Sequence, residues 1–119
     1  MEIHVEKQEK NYQLRVSIKE SGNEVGWGFL VVVFNDRHKE PYGIMENVYI
    51  DSAYRSKGYG KKIVEKIIDL AKEKECYKLL CQSRYEKERV HQFYVKYGFK
   101  DHGKNFRMDL IDSQINQVD

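Results

Sequence analysis

The residues from Glu46 to Leu70 constrain the fold of this chain more than any other stretch. Val48 to Ile50 is an apolar run that reads as a strand. Asp51 and Ser52 are turn formers, and Ser56 to Gly60 make a basic loop punctuated by Gly58 and Gly60. From Lys61 the period changes. Ile63, Ile67, Leu70 and Ala71 fall on one helical stripe, with Val64 and Ile68 beside it, so the spacing predicts a helix to about Lys74. Strand, glycine loop and helix in this order make a phosphate-binding arrangement. The amides left unpaired at a helix start point at the anion, and the helix dipole favours negative charge there. Glycine removes the Cβ that would keep the backbone away, and Arg55, Lys57, Lys61 and Lys62 surround the same mouth with positive charge.

Two common phosphate loops are excluded by the residues themselves. A Walker loop needs a longer loop ending in Gly-Lys-Ser/Thr. The dinucleotide fingerprint G-x-G-x-x-G needs a third glycine where this chain has Ile63. What remains is Arg55-Ser56-Lys57-Gly58-Tyr59-Gly60, an Arg-x-x-Gly-x-Gly segment. Downstream stands a second signature, His91-Gln92-Phe93-Tyr94-Val95-Lys96-Tyr97-Gly98-Phe99. The first segment resembles the pyrophosphate loop of the GNAT superfamily of acyl-CoA-dependent N-acetyltransferases. The second resembles the F-Y-x-x-x-G-F segment of the same family. Locally, Met45 to Val48, the Tyr54-Arg55 loop and Cys76 to Leu80 are similar to its glucosamine-phosphate N-acetyltransferase branch.

The rest of the chain reads in order around that centre. Glu2 to Lys7 starts a first strand weakly. Tyr12, Leu14, Val16 and Ile18 alternate with polar residues as in a half-buried strand, and Ser21-Gly22-Asn23 supplies a turn. The continuous run from Val25 to Phe34 predicts a central strand, Asn35 to Pro41 a loop, and Tyr42 to Ile50 the next strand. Tyr77 to Gln82 is a short strand, which a crossover helix would set parallel to its neighbour. Glu86 to Tyr97 is a second helix stopped by Gly98. Phe99 to His102 and Asn105 to Ile111 read as two last strands. The expected fold is α/β (α+β), GNAT-like: an antiparallel N-terminal meander, then a parallel central pair joined by a crossover helix. Residues 1–111 form a single domain, and 112–119 a polar tail. The resemblance covers nearly the whole chain, with one departure. The helices that family members place between their first two strands look reduced or absent, so either the acceptor pocket is reduced or a second subunit, as in a homodimer, completes it.

Composition narrows the function. With 119 residues there is room for one core, and a net charge of +2 lacks the clustered excess of a nucleic-acid binder. No apolar run approaches the roughly 20 residues of a membrane span and no basic-then-apolar leader opens the chain, so a cytoplasmic protein is expected. Cys76 and Cys81 lack C-x-x-C spacing and read as reduced core thiols. The four histidines show no ligand spacing, and no metal is expected.

The resemblance implies transfer of an acetyl group from acetyl-CoA to a primary amine, by direct attack in a ternary complex. It assigns the cofactor to Val48, Tyr49 and Ile50 on the strand, to Arg55, Ser56, Lys57, Gly58, Tyr59, Gly60 and Lys61 in the loop, and to Gln82 on the parallel neighbour. It places Tyr94 at the CoA sulfur as acid, where otherwise it would be a core aromatic beside Phe93 and Tyr97. A primary ammonium with a pKa near 10.4 must lose a proton before it attacks. Glu46 stands where many relatives carry a strand glutamate. It is either this base or an ordinary carboxylate paired with a cation, with Asp51 and Glu24 as weaker choices. His91 reads as a residue that packs or bonds locally. An acyl-CoA-binding sensor or interaction module without turnover is the competing reading, supported by the short N-terminal region.

Overall fold

The computed structural model describes residues 1–83 and 87–111. The expected tail, 112–119, and the expected helix start at Glu86 lie outside the described residues. The chain falls into two units, residues 1–82 and 83–119.

The first unit holds β1 (Tyr12–Glu20), β2 (Asn23–Val33), β3 (Tyr42–Ile50), a 3-10 turn (Ser52–Tyr54), α1 (Tyr59–Glu73) and β4 (Leu79–Leu80). The sheet order is β1-β2-β3-β4. The first three strands form the expected antiparallel meander, turned at Ser21-Gly22, and β3 pairs with β4 in parallel. The run after Val25 is the central strand of that meander, as its continuous apolar character requires. Its alternate residues Leu30 and Val32 are fully buried, while Trp27, Phe29, Val31 and Val33 on the other face are half-buried.

Helix α1 lies on the first of these faces. Ile63, Val64, Ile67 and Ala71 are buried there with Val25, Leu30, Val32 and Met45, and these eight side chains are the core. Close approach is what Gly28 provides. A Cβ at that position would stand 2.7 Å from Ile63 Cγ2 and 3.1 Å from Ile67 Cδ1. The helix therefore sits against sheet backbone, and its start is held at the end of β3.

The second unit contains α2 (Glu88–Lys96). Its C-terminus is closed by Gly98 N–H donating to Val95 O and Phe99 N–H donating to Tyr94 O. This is the paired bonding by which a glycine just past a helix satisfies the last carbonyls. Phe93, Tyr94, Tyr97 and Phe99 contact one another ring to ring, with centroids 5.0–6.0 Å apart.

Three expected strands are absent. Residues 2–7, 99–102 and 105–111 form no strand, and Phe106, Met108 and Leu110 are at least four-fifths exposed. Alternation reports a residue's preference for a pleated, half-buried surface. It does not supply the neighbour whose backbone completes the ladder, and the described residues supply none here. The strand expected from Tyr77 to Gln82 is likewise shortened to Leu79–Leu80, because its pairing with β3 covers only Gly43–Leu79 and Ile44–Leu80.

Two predictions follow from this packing. Gly28→Val should destabilise the fold by about 1–3 kcal/mol through overpacking, and Ile67→Ala by about 2–5 kcal/mol through a cavity. Urea unfolding followed by circular dichroism measures both. Cys76 and Cys81 are free and half-buried, and burial pushes the Cys81 thiol up to about 11. The reactive thiolate is then scarce at neutral pH. Alkylation of Cys81 at pH 8 should run about a hundredfold slower than that of an exposed cysteine with a pKa of about 8.5, as mass spectrometry of timed samples would read.

Candidate functional site

The site is built where β3 ends and α1 begins. Near its end, β3 departs from regular pairing. Phe29 faces Glu46 and Trp27 faces Tyr49, so the single Gly28 opposes two residues, Asn47 and Val48. Asn47 takes a φ of +53°, a left-handed conformation that asparagine tolerates better than most residues. This is a β-bulge, which bends a strand and re-aims its groups. On the other edge of β3, pairing with β4 stops at Ile44. From Glu46 to Ile50 that edge has no strand neighbour among the described residues. The bulged strand thus leaves its partner behind and presents open backbone.

The loop is tied at both ends. Asp51 N–H donates to Val25 O at 2.8 Å, and Tyr54 N–H to Asp51 O at 2.8 Å. Arg55 Nε donates to Ile50 O at 3.0 Å, and its guanidinium lies 5.7 Å from the centre of the Tyr49 ring. Lys57 Nζ lies 5.1 Å from the centre of the Tyr54 ring, which stacks on Tyr59 at 6.3 Å. The Tyr59 hydroxyl donates to Glu20 of β1. That bond pushes the phenol pKa up, so Tyr59 stays a donor. Its side chain anchors the helix start to the sheet, which leaves its backbone amide as the group available to a ligand.

Helix α1 begins at Tyr59, two residues earlier than the sequence period suggests, so Tyr59 and Gly60 belong to its first turn. Gly58 precedes it with a φ of +80°, and no side chain caps the helix. The first amide to find a helical acceptor is Lys62, bonded to Gly58 O at 3.2 Å. The amides of Tyr59, Gly60 and Lys61 therefore have no acceptor within the helix. A Cβ placed on Gly58 would meet nothing within 4 Å, so the space before the helix is open. No acidic residue stands in the first turn, whereas exposed Lys61 and Lys62 do. Cations at a helix N-terminus oppose the dipole, at roughly 0.3–1 kcal/mol each. An anion seated at the three amides would relieve that repulsion. The donor set fits a pyrophosphate.

Of the expected site residues, Glu46, Val48, Tyr49 and Ile50 lie on the bulged end of β3 and Arg55, Ser56, Lys57 and Gly58 in the loop. Tyr59, Gly60 and Lys61 form the helix start, so the first unit brings these eleven together. Gln82 lies just past β4 and is exposed. Tyr94 is half-buried on α2 in the second unit. Glu24, the weaker base candidate, is committed elsewhere: Arg15 Nη1 donates to it at 2.7 Å and forms an ion pair that holds its carboxyl below the usual range. Glu46 is exposed and has no ion-pair partner among the described residues. The bulge was missed by sequence reasoning, though the polar pair Glu46-Asn47 inside the strand, with an asparagine that tolerates left-handed backbone, was its signal. The aromatic cluster of Trp27, Tyr49 and Arg55 was missed as well, because it is assembled across two strands and a loop. Among the described residues no cluster of three His, Cys, Asp or Glu side chains could hold a metal ion, and no helix is long and apolar enough to cross a membrane.

The chain is similar to known proteins in sequence and in fold. Residues 2–99 match the model of the Acetyltransferase (GNAT) family. A glucosamine 6-phosphate N-acetyltransferase of Trypanosoma brucei brucei is 35% identical over 68 residues, 57% of this chain and 44% of that protein. The chain spans less than half the length of the curated relatives it matches. Among solved structures, a putative acetyltransferase from Agrobacterium tumefaciens aligns with a TM-score of 0.75 and 31% identity, over 82% of this chain and 68% of that one. The glucosamine-6-phosphate N-acetyltransferase of Arabidopsis thaliana aligns at 0.74 with 26% identity, over 83% and 67%. The family model covers most of the chain, and this chain belongs to the GNAT acetyltransferases.

Proposed function

We propose that the chain is an acetyl-CoA-dependent N-acetyltransferase that acts on a primary amine by direct attack in a ternary complex. The observation that carries this reading is the uncapped, cation-lined start of α1 directly after a bulged strand whose outer edge is open. Acetyl-CoA, when bound, supplies an activated acyl group. The amides of Tyr59, Gly60 and Lys61, with Arg55, Ser56, Lys57 and Gly58, hold its pyrophosphate. The open edge from Val48 to Ile50 pairs with the pantetheine chain, and Gln82 contributes from beyond β4. A backbone N–H near Val48 or Tyr49 stabilises the oxyanion of the tetrahedral intermediate, an effect of roughly 3 kcal/mol for one well-aimed donor.

Glu46 is the base in this reading, directly or through water. The alternative is an ordinary strand carboxylate paired with a cation; among the described residues Glu46 forms no ion pair. Tyr94 donates its phenolic proton to the departing sulfur. A thiolate whose conjugate acid has a pKa near 8.5 leaves fairly well unaided, so this proton refines the rate rather than enabling it. Glucosamine 6-phosphate is the first acceptor to test, since it is in the names of the curated relatives.

Release of free CoA thiol from acetyl-CoA across a panel of amines tests the activity. Release with at least one amine is expected; binding of acetyl-CoA with release on none would favour a sensor without turnover. Gly58→Asp should weaken acetyl-CoA binding at least tenfold in a calorimetric titration, because it places a negative charge in the anion site and a side chain on a backbone at φ +80°. Unchanged affinity would remove the loop from the cofactor site. Glu46→Gln should lower the rate at neutral pH by roughly 10²–10⁴ and leave a residual rate that climbs as the amine itself deprotonates. A pH–rate profile identical to that of the unaltered protein would exclude Glu46 as the base.

A further inference from the structure

Strand β1 closes one side of the sheet, and along its nine residues the outer edge has no strand neighbour among the described residues. Folded sheets blunt such edges with prolines, with bulges on the edge strand or by keeping that strand very short. β1 has no proline, and its one register irregularity puts the extra residue, Val25, on β2. The two faces of β1 differ. Leu14, Val16 and Ile18 oppose Leu30, Gly28 and Gly26 and so face α1, yet they are only half-buried. An open cavity of about 310 Å³ lies beside them, with Val16, Ile18, Ile63 and Lys66 in its lining. Gln13, Arg15, Ser17 and Lys19 alternate onto the other face and are exposed. Residues 1–11 form an arm before this strand and belong to no regular element. The arm is nevertheless pleated. His4 Nε2 lies 3.0 Å from Glu2 Oε2, Gln8 Nε2 donates to Glu6, and Lys7 Nζ lies 3.1 Å from Glu9 Oε1. Contacts between residues two apart put Glu2, His4 and Glu6 on one side of an extended chain. Ile3 and Val5 are then on the other side, 82% and 95% exposed. Held in water, these two β-branched side chains contribute nothing to a single copy.

We infer that residues 2–7 of one copy of this chain add as an antiparallel strand to the outer edge of β1 in a second copy, and that the exchange is reciprocal. With Glu2 opposite Lys19, both faces match at once. Ile3 meets Ile18 and Val5 meets Val16 on the α1 face, beside the cavity. On the other face His4 meets Ser17 and Glu6 meets Arg15. Directly opposite residues in such a pair have Cβ atoms about 4.5–5.5 Å apart, close enough for apolar contacts and for ion pairs. A shift of one residue would move Ile3 and Val5 onto the polar face, so the pattern selects the register. The arm takes the strand of a second copy because the chain does not reverse between arm and strand. No residue before Ser21 has a positive φ, and neither glycine nor proline precedes Gly22. Tight hairpins rely on such residues. Phe34 N–H donates to Asn11 Oδ1 at 2.8 Å, which holds the root of the arm beside the end of β2. Residues 8–11, in no regular element, carry the change of face between arm and strand. The interface lies two strands away from β3, outside the proposed site.

Sedimentation equilibrium over a wide range of concentration reads the state of the full chain, and twice the 14.2 kDa of one copy is expected. Ile3→Asp and Val5→Asp should each raise the dimer Kd about tenfold or more. Both side chains are exposed in the single copy, so the thermal midpoint at low concentration should not move. Lys19→Glu should weaken the dimer, and Glu2→Lys added to the same chain should restore it. Covalent trapping separates two copies from one chain folded on itself. Chains carrying Glu2→Cys, mixed with chains carrying Lys19→Cys and mildly oxidised, should give a disulfide-linked dimer on a non-reducing gel. Each variant alone is the control for Cys76 and Cys81, which are half-buried. A monomer at every concentration would overturn the inference. So would a dimer whose Kd none of these substitutions changes, since the contact would then lie elsewhere. A link that forms within the double variant, and not between the mixed single variants, would put the arm on its own β1 and overturn it as well.

Discussion

The distance at which α1 lies on the sheet governs everything at the site. Ile63 and Ile67 occupy the space that a side chain at Gly28 would need, and Ile50 stands 2.6 Å from where a Cβ on Gly26 would be. A helix seated this deeply has its first turn fixed by core packing rather than by a cap. That matters because the first turn has no cap of its own. Most helices spend a serine, threonine or aspartate on those amides. Here packing of Ile63, Ile67 and Ala71, with the Tyr59–Glu20 bond as an outer tether, keeps the amides in position while leaving them available.

The second constraint is the β-bulge at Asn47. A regular strand would have continued its pairing register with β2, with side chains alternating strictly to the two faces. One extra residue on β3 lets Glu46 and Tyr49 share the face opposite α1 although they are three positions apart. Without it, one of them would turn into the core. The proposed base and the Tyr49 ring thus stand side by side through one left-handed asparagine. The same irregularity falls where β4 has already ended, so the bend and the open edge reinforce each other.

How much of this was legible in the sequence depends on the range over which each signal acts. Period two in Tyr12 to Ile18, the continuous run after Val25 and the helical stripe of Ile63, Ile67 and Ala71 are local patterns, and their elements formed as expected. The loop was legible for the same reason, since glycines and basic residues are adjacent in the chain. The start of α1 at Tyr59 was placed too late, because Gly60 discourages a helix by propensity while packing of the next turn imposes one. Phe106, Met108 and Leu110 alternate as well as β1 does, yet they are exposed and form no strand. Pairing is a property of two segments, and alternation describes only one. The Trp27–Tyr49–Arg55 cluster illustrates the same limit within the site, being brought together by register and by a bond from Arg55 to a backbone carbonyl.

Charge placement separates what serves the fold from what serves a ligand. Arg15 and Glu24 satisfy each other, and Tyr59 satisfies Glu20. These pairs hold strands and helix start in register and ask for nothing further. Lys61, Lys62, Arg55 and Glu46 have no such partners among the described residues. A fold alone would gain by pairing them or by placing acid in the first turn of α1. Their arrangement is not random either: two cations border the uncapped amides, while Arg55 and Glu46 stand on the opposite sheet face around Tyr49. In the proposed function the set beside the backbone donors meets the cofactor's phosphates and Glu46 faces the amine. The open end of β3 runs between them, and it is there that the acyl group would meet the amine.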